Sequence, residues 1–283
     1  MTEQPTATAA SEAPARAADA APGSKGDKPA FLPSEIDPTV FDEGFLRQLD
    51  WNVLARLEKL FIKLYVEEED ITIHFLLDAS ASMVAGNPPK LLFAKRAAAA
   101  LGYIGLASED RVAVTALAAR AGRRHVALRG SGRVFRLLAA LSGIAAADGP
   151  TDLVASARHA AAQLSGRGVI VLLSDLLDPA AERVIRELAA TGSELIVLHV
   201  LSPEELDPTL EGDVRLVDVE SGDGLDVTID LATIDDYKVR LAAWQEGFGD
   251  IAAKRGASYV PISTDLPLAD LVFAELRRRR VLG

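Results

Sequence analysis

Three separate stretches of the chain carry oxygen-bearing side chains that could together bind a divalent cation. The first is Asp78-x-Ser80-x-Ser82, which offers one carboxylate and two hydroxyls. Thr151 and Asp175 lie far along the chain and would add one hydroxyl and a second carboxylate. Oxygen ligands of this kind suit a hard ion such as magnesium, which prefers octahedral oxygen coordination and keeps some of its waters. The residue types therefore indicate a magnesium site, with manganese as the alternative ion.

The elements that precede the two aspartates could bring them together. Asp78 follows the apolar run 71–77, and Asp175 follows a second apolar run that begins at Val169. In an open parallel sheet, ligands bind beyond the carboxyl ends of the strands, at the point where the strand order reverses. If these two strands are neighbours there, both carboxylates and both serine hydroxyls face one crevice, and Thr151 reaches in from a third loop.

The rest of the sequence predicts a doubly wound α/β fold. The apolar runs are too continuous for a half-exposed sheet and alternate with helical patterns, as in a mostly parallel sheet covered by helices on both faces. The predicted strands are 71–77, 111–117, a short antiparallel edge strand 124–128, 168–174, 194–200 and 258–262. The predicted helices are 89–107, 132–143, 152–164, 180–191, 233–255 and 266–280. Two alternating runs joined by a glycine-containing turn predict a β-hairpin insertion at 214–230, on the edge of the sheet.

Composition divides the chain into three parts. Residues 1–30 are rich in alanine and proline and offer almost nothing large to bury, which predicts a disordered tail. Residues 31–70 carry helix-like apolar spacing and predict a leading helical segment. Residues 71–283 then form the α/β domain with its hairpin insertion.

The arrangement of the five oxygen donors resembles the metal-ion-dependent adhesion site of the von Willebrand factor A domain family. That pattern is Asp-x-Ser-x-Ser followed by a distant Thr and a distant Asp, and this chain matches all five positions. The resemblance implies that Ser80, Ser82 and Thr151 contact magnesium directly or nearly so, and that Asp78 and Asp175 act directly or through water. It also implies an open coordination position that accepts an acidic side chain from a protein partner.

Further stretches are similar to a bacterial and archaeal group, domain-of-unknown-function family fifty-eight, from about residue 43 to the C-terminus. They are residues 49–56, 64–70, 78–83, 174–176, 199–205 and 216–222. This group is often linked with MoxR-type AAA+ ATPases, so the resemblance implies an adaptor or chaperone-like partner of such an ATPase. One departure is that residues 41–48 lack the Tyr-x-x-Gly-Asp stretch usual in the group.

Other readings of the same residues remain open. In the simplest, Asp78 ends a strand, Thr151 caps the following helix and Asp175 begins a turn. A metal-assisted hydrolase could use the same cation to activate water, and a metal-free scaffold could bind partners through the hairpin 214–230. Ser82, His199 and Asp175 could be arranged as a catalytic triad, although no Gly-x-Ser-x-Gly elbow is present. No general base is identified, so the sequence favours a protein that is not an enzyme, with no catalytic residues.

Charge and composition exclude several other classes. The net charge of −11 opposes binding to phosphate backbones, so nucleic acid is not expected as a partner. The chain has no cysteine, which excludes disulfides and thiolate metal sites, and no nucleotide-binding loop is recognisable. No apolar stretch approaches the length of a membrane helix, so no membrane insertion is expected and a cytoplasmic location is predicted.

Overall fold

The computed structural model describes residues 37, 39, 71–117, 124–147, 149, 151–164, 168–210, 212–217 and 223–271. Their strands are β1 (Thr72–Asp78), β2 (Arg111–Leu117), β3 (Arg124–Arg129), β4 (Gly168–Ser174), β5 (Glu194–Leu201), β6 (Gly212–Val217), β7 (Gly224–Ile229) and β8 (Ser258–Ser263). Their α-helices are α1 (Lys90–Ala107), α2 (Val134–Ser142), α3 (Leu153–Ala162), α4 (Ala181–Ala189), α5 (Pro203–Leu206), α6 (Leu231–Ala253) and α7 (Leu268–Asp270). Short 3₁₀ turns lie at Ala81–Val84 and Ser131–Arg133.

The central sheet has six strands in the order β3-β2-β1-β4-β5-β8. All neighbouring pairs are parallel except β2 with β3, which is antiparallel. The chain moves outward from β1 to β2 and β3, and then returns to place β4 on the other side of β1. The strand order therefore reverses between β1 and β4, where an open sheet of this kind forms its crevice. The predicted fold class is confirmed, including the short antiparallel edge strand.

Both faces of the sheet are buried, and this explains the continuous apolar runs in the sequence. Successive strand residues point to opposite faces. Phe75 and Leu77 of β1 lie in one apolar cluster with α1 and α2, whereas Leu76 between them lies in the other cluster with α3 and α4. A strand covered on one side only would have alternated with polar residues.

Small residues on the inner face of helix α1 let it pack closely against β1 and α2. It contains the run Ala97–Ala100, all buried, followed by Gly102 and Gly105. A Cβ added at Gly102 would lie 2.7 Å from a Leu137 methyl group, and one at Gly105 would lie 2.7 Å from an Ile73 methyl group. These contacts fix the C-terminal half of α1 against β1 and α2.

The hairpin forms, but it does not extend the sheet. Strands β6 and β7 pair only with one another as a separate antiparallel sheet, and β8 occupies the edge beside β5. The prediction of an insertion on the sheet's edge was wrong in that respect. Leu225 and Val217 are among its exposed apolar residues.

Several predictions fall outside the described residues. The tail 1–30 lies wholly outside them, and the leading segment 31–70 does so except at Asp37 and Thr39. The predicted last helix, 266–280, is described only as far as α7 and Leu271. Within the described part of the chain, no helix is both long enough and apolar enough to cross a membrane.

The contact between β1 and β4 can be tested at Gly168, where an added Cβ would lie 2.4 Å from the Thr72 carbonyl oxygen. That oxygen belongs to the backbone and cannot move without separating the strands. We expect Gly168→Ala to lower the free energy of unfolding by about 1–3 kcal/mol, as overpacking generally does. Urea unfolding followed by circular dichroism would measure it.

Gly247 provides the matched control, because it lies in α6 and an added Cβ meets nothing within 4 Å. There the same substitution should stabilise the protein by about 0.5–1 kcal/mol, because alanine is the better helix former. Equal effects at the two positions would contradict the close strand contact.

Candidate functional site

The carboxyl ends of β1 and β4 bring two buried carboxylates into one crevice. Leu77 pairs with Leu173 across the two strands, so the next residues, Asp78 and Ser174, lie side by side. The Ser174 hydroxyl donates a hydrogen bond of 2.6 Å to Asp78 Oδ2. Asp175 follows directly and is as buried as Asp78, with 1% and 2% of their surfaces exposed. The structure thus brings together the two aspartates that the sequence singled out.

Ser80 and Ser82 belong to the same crevice. The Ser80 N–H donates to Asp78 Oδ1 at 2.9 Å, which folds the loop back over the strand end. A 3₁₀ turn at Ala81–Val84 follows, and it places the Ser80 and Ser82 hydroxyls 3.0 Å apart. Both serines are buried. The alternate spacing in Asp-x-Ser-x-Ser therefore yields one carboxylate and two adjacent hydroxyls.

Thr151 lies on a loop that is joined to this crevice by the backbone. The Ala147 N–H donates to the Ala79 carbonyl oxygen at 2.7 Å, and Thr151, which is half-buried, lies four residues further along. The simpler reading of Thr151 as a helix cap was wrong. Asp152 is the residue at the cap of α3, and its Oδ1 accepts a 2.8 Å hydrogen bond from the Ala155 N–H.

The turn after β4 is strained at Leu176. Its φ is +54°, in the left-handed region that a leucine rarely adopts. Its N–H donates to the Ser174 hydroxyl at 3.0 Å, and the next N–H, of Leu177, donates to Asp175 Oδ1 at 3.2 Å. These bonds hold the Asp175 carboxylate at the rim of the sheet. Strain of this kind is often kept at functional sites.

The position of Asp78 disfavours its charged form. Burial, followed by repulsion from the Asp175 carboxylate, raises the pKa of Asp78 to about 6, although the hydrogen bonds from Ser174 and Ser80 act in the opposite direction. Two like charges in one buried site raise a carboxyl pKa in this way. A cation between them would relieve both causes.

Lys90 supplies a positive charge at this site that the sequence analysis missed. It is the first residue of α1 and is fully buried, and its Nζ donates to Asp175 Oδ2 at 2.8 Å and to Glu205 Oε1 at 2.5 Å. No local motif marks Lys90. The Ser202-x-x-Glu205 spacing does predict the helix cap that the structure contains, but it does not predict that Glu205 also binds a lysine.

His199 has a structural role beside the site. Its Nε2 lies 2.9 Å from the Asp175 carbonyl oxygen and its Nδ1 lies 2.6 Å from the Tyr259 hydroxyl. A carbonyl can only accept, so Nε2 carries the proton and Nδ1 accepts from Tyr259. Burial lowers the pKa of His199 to about 4, so the ring is neutral at pH 7. Both nitrogens are engaged away from Ser82, which opposes the triad with Ser82 and Asp175.

The donor set fits a hard divalent ion better than a soft one. The crevice offers two carboxylates and two hydroxyls, all of them oxygen ligands of the type that magnesium and manganese prefer. Across the described ranges, no group of three or more His, Cys, Asp or Glu side chains is placed to hold a metal. An ion here would therefore depend on hydroxyls and waters as well as on carboxylates.

The raised pKa of Asp78, caused by burial and then by the Asp175 charge, predicts a pH dependence of stability in the presence of a chelator. The folded protein binds the Asp78 proton more tightly than the unfolded chain does, because the pKa rises from its usual 3.8 to about 6. The free energy of unfolding should therefore fall as pH rises from about 4 to about 6, by about 3 kcal/mol, and then level off.

Asp78→Asn removes this titration, so the comparison with wild type isolates it. In EDTA, the unfolding free energy of Asp78→Asn minus that of wild type should increase by about 3 kcal/mol between pH 4 and pH 7. Urea unfolding at several pH values would measure the difference. A difference that does not change with pH would contradict the raised pKa of Asp78.

Comparison with solved structures finds matches at low sequence identity, with TM-scores below 0.5. A conserved hypothetical protein BatB from Bacteroides thetaiotaomicron has 16% identity and a TM-score of 0.46, over 75% of this chain and 99% of that one. An aerotolerance-related membrane protein from Bacteroides fragilis has 19% identity and a TM-score of 0.46, over 75% of this chain and all of that one. The SpRpn10 VWA domain has 12% identity and a TM-score of 0.39, over 71% and 93% of the two chains.

Curated relatives are closer in sequence. The uncharacterized protein Rv1480 of Mycobacterium tuberculosis is 30% identical over 251 residues, which are 84% of this chain and 77% of that protein. A shorter uncharacterized protein of Mycobacterium avium is 34% identical over 120 residues, 41% of this chain and 70% of its own. The family described as "Protein of unknown function DUF58" matches residues 43–246, most of the chain. The resemblance of the sequence to domain-of-unknown-function family fifty-eight is confirmed, and the chain belongs to this family.

Proposed function

We propose that the protein is a magnesium-dependent protein-binding module, whose metal-ion-dependent adhesion site is formed by Asp78, Ser80, Ser82, Thr151 and Asp175. The observation that carries the proposal is the convergence of two buried carboxylates and two hydroxyls at the point where the strand order reverses. Buried like charges are costly unless they are compensated. A site with this deficit of positive charge is suited to a cation.

The chemistry of the donors supports binding rather than catalysis. When bound, magnesium would supply a positive centre with few protein charges around it and with room for a further oxygen ligand. A carboxylate from another protein is the natural ligand for such a centre. A hydrolytic reaction would require a general base as well, and His199 is held by Asp175 and Tyr259.

The partner that we propose is a MoxR-type AAA+ ATPase, for which this protein would act as an adaptor or chaperone-like component. This part of the proposal follows from membership of the family and from the resemblance described above. The domain itself has no recognisable nucleotide-binding loop in its sequence, so an ATPase partner would supply the energy. A cytoplasmic location suits such a partnership and stays a prediction.

The test is capture of a purified MoxR-type ATPase from the same genome by the immobilised full chain. We expect capture in magnesium, and loss of at least about tenfold in affinity in EDTA or in the double variant Ser80→Ala with Ser82→Ala, because charge-assisted contacts through the ion would be lost. The double variant keeps both carboxylates and Lys90 in place. Far-UV circular dichroism would show that it is folded.

The hairpin offers the control that separates this function from a metal-free scaffold. Leu225→Asp places a charge on an apolar side chain of β7 that is 64% exposed and outside the central sheet. If the cation site binds the partner, Leu225→Asp should capture it as wild type does. Capture that survives EDTA and the double serine variant but is lost in Leu225→Asp would refute the cation-dependent function in favour of the hairpin.

A further inference from the structure

Lys90 lies where a lysine is costly to fold unless its charge is paired. It occupies the first turn of α1, where the helix dipole disfavours a positive charge, and its side chain is completely buried. Lysine is almost never fully buried unless it is paired, and a buried ion pair can often be replaced by apolar residues without loss of stability. Stability alone does not account for a lysine at this position.

The ammonium group of Lys90 is shared between two carboxylates of different character. Asp175, at 2.8 Å, belongs to the proposed cation site, whereas Glu205, at 2.5 Å, lies on α5 beyond the end of β5. With a carboxylate oxygen on either side of it, the ammonium group is paired twice and acts as a fixed cation.

Glu205 is held in position independently of Lys90. Its Oε2 accepts a 2.8 Å hydrogen bond from the Ser202 N–H, and its own N–H donates to the Ser202 hydroxyl. The Tyr237 hydroxyl donates to its carbonyl oxygen at 2.7 Å. The loop before α1 packs tightly on this corner, since a Cβ at Gly86 would lie 2.5 Å from Ser202 Cβ. Glu205 can thus keep the ammonium group when Asp175 is engaged elsewhere.

We propose that Lys90 is an internal cation that competes with the divalent ion for Asp175, and that Glu205 retains its ammonium group when the ion binds. The inference rests on the proposed cation site and deepens it, because it makes metal affinity adjustable by a residue that is not a ligand. Lys90 acts as a positioning residue here. Its positive charge lowers the affinity of the site, and Glu205 moderates that effect.

The competition can be measured with Mn²⁺ alone, by electron paramagnetic resonance of the free ion during titration of the full chain. Lys90→Met keeps an unbranched side chain of slightly shorter length and removes the charge, so Mn²⁺ should bind at least about tenfold more tightly than in wild type. Lys90→Arg keeps the charge and should show no such gain.

Glu205→Gln should change the Mn²⁺ affinity in the opposite direction. Without the Glu205 charge, the ammonium group has Asp175 as its carboxylate partner, and Mn²⁺ should bind about threefold or more weakly than in wild type. If Glu205 acts through Lys90, adding Glu205→Gln to Lys90→Met should leave the Lys90→Met affinity unchanged. This double-variant cycle distinguishes competition from a general change in charge.

The outcomes separate this inference from the proposed function. Folded Lys90→Met that binds Mn²⁺ no more tightly than wild type would overturn the competition, as would an absence of binding in both proteins. Binding by Lys90→Met but not by wild type would support the competition and refute magnesium dependence of the natural protein. Should Lys90→Met fail to fold, Glu205→Gln decides, and undiminished Mn²⁺ affinity in that variant would overturn the inference.

Discussion

Two carboxylates that share one buried crevice are the constraint on which the rest of the site depends. The parallel pairing of β1 with β4 leaves Asp78 and Asp175 at the same rim, and both are almost completely buried. Several nearby groups compensate the negative charge of the two carboxylates. The Ser174 hydroxyl donates to Asp78, backbone N–H groups of the turns donate to both aspartates, and Lys90 donates to Asp175.

The negative charge of Asp175 is compensated more fully than that of Asp78, and this difference indicates where an ion would bind. The Lys90 ammonium group, a full positive charge, lies 2.8 Å from the Asp175 carboxylate. Asp78 is stabilised by neutral donors, and its pKa is about 6. The Ser80 and Ser82 hydroxyls lie on the Asp78 side. The uncompensated charge and the neutral oxygen ligands are therefore next to one another, which is the arrangement that a divalent ion requires.

The sequence was sufficient to predict elements whose signal is local. Strand β2 has its predicted bounds, 111–117, because buried parallel strands are apolar throughout, and Asp78 and Asp175 could be placed because each directly follows such a strand. Lys90 and Glu205 were missed because they are 115 residues apart and meet only through the packing of α1 against the end of β5. The predicted position of the hairpin was wrong for a similar reason. Its alternation predicts two strands, but nothing local says whether they pair with the main sheet.

The way in which each donor is held decides how cleanly metal binding can be separated from folding. Asp78 accepts hydrogen bonds from Ser174 and from the Ser80 backbone, and Lys90 joins α1 to two other elements, so changes at either position affect stability together with any affinity. The Ser80 and Ser82 hydroxyls lie on a loop outside the sheet and bond with one another, and the Ser80 side chain also favours the charged form of Asp78. If both hydroxyls are removed together, neither is left without its partner in this hydrogen bond. Loss of a hydrogen bond costs least stability under that condition. The loop serines are therefore the positions at which loss of the ion and loss of the fold can be told apart.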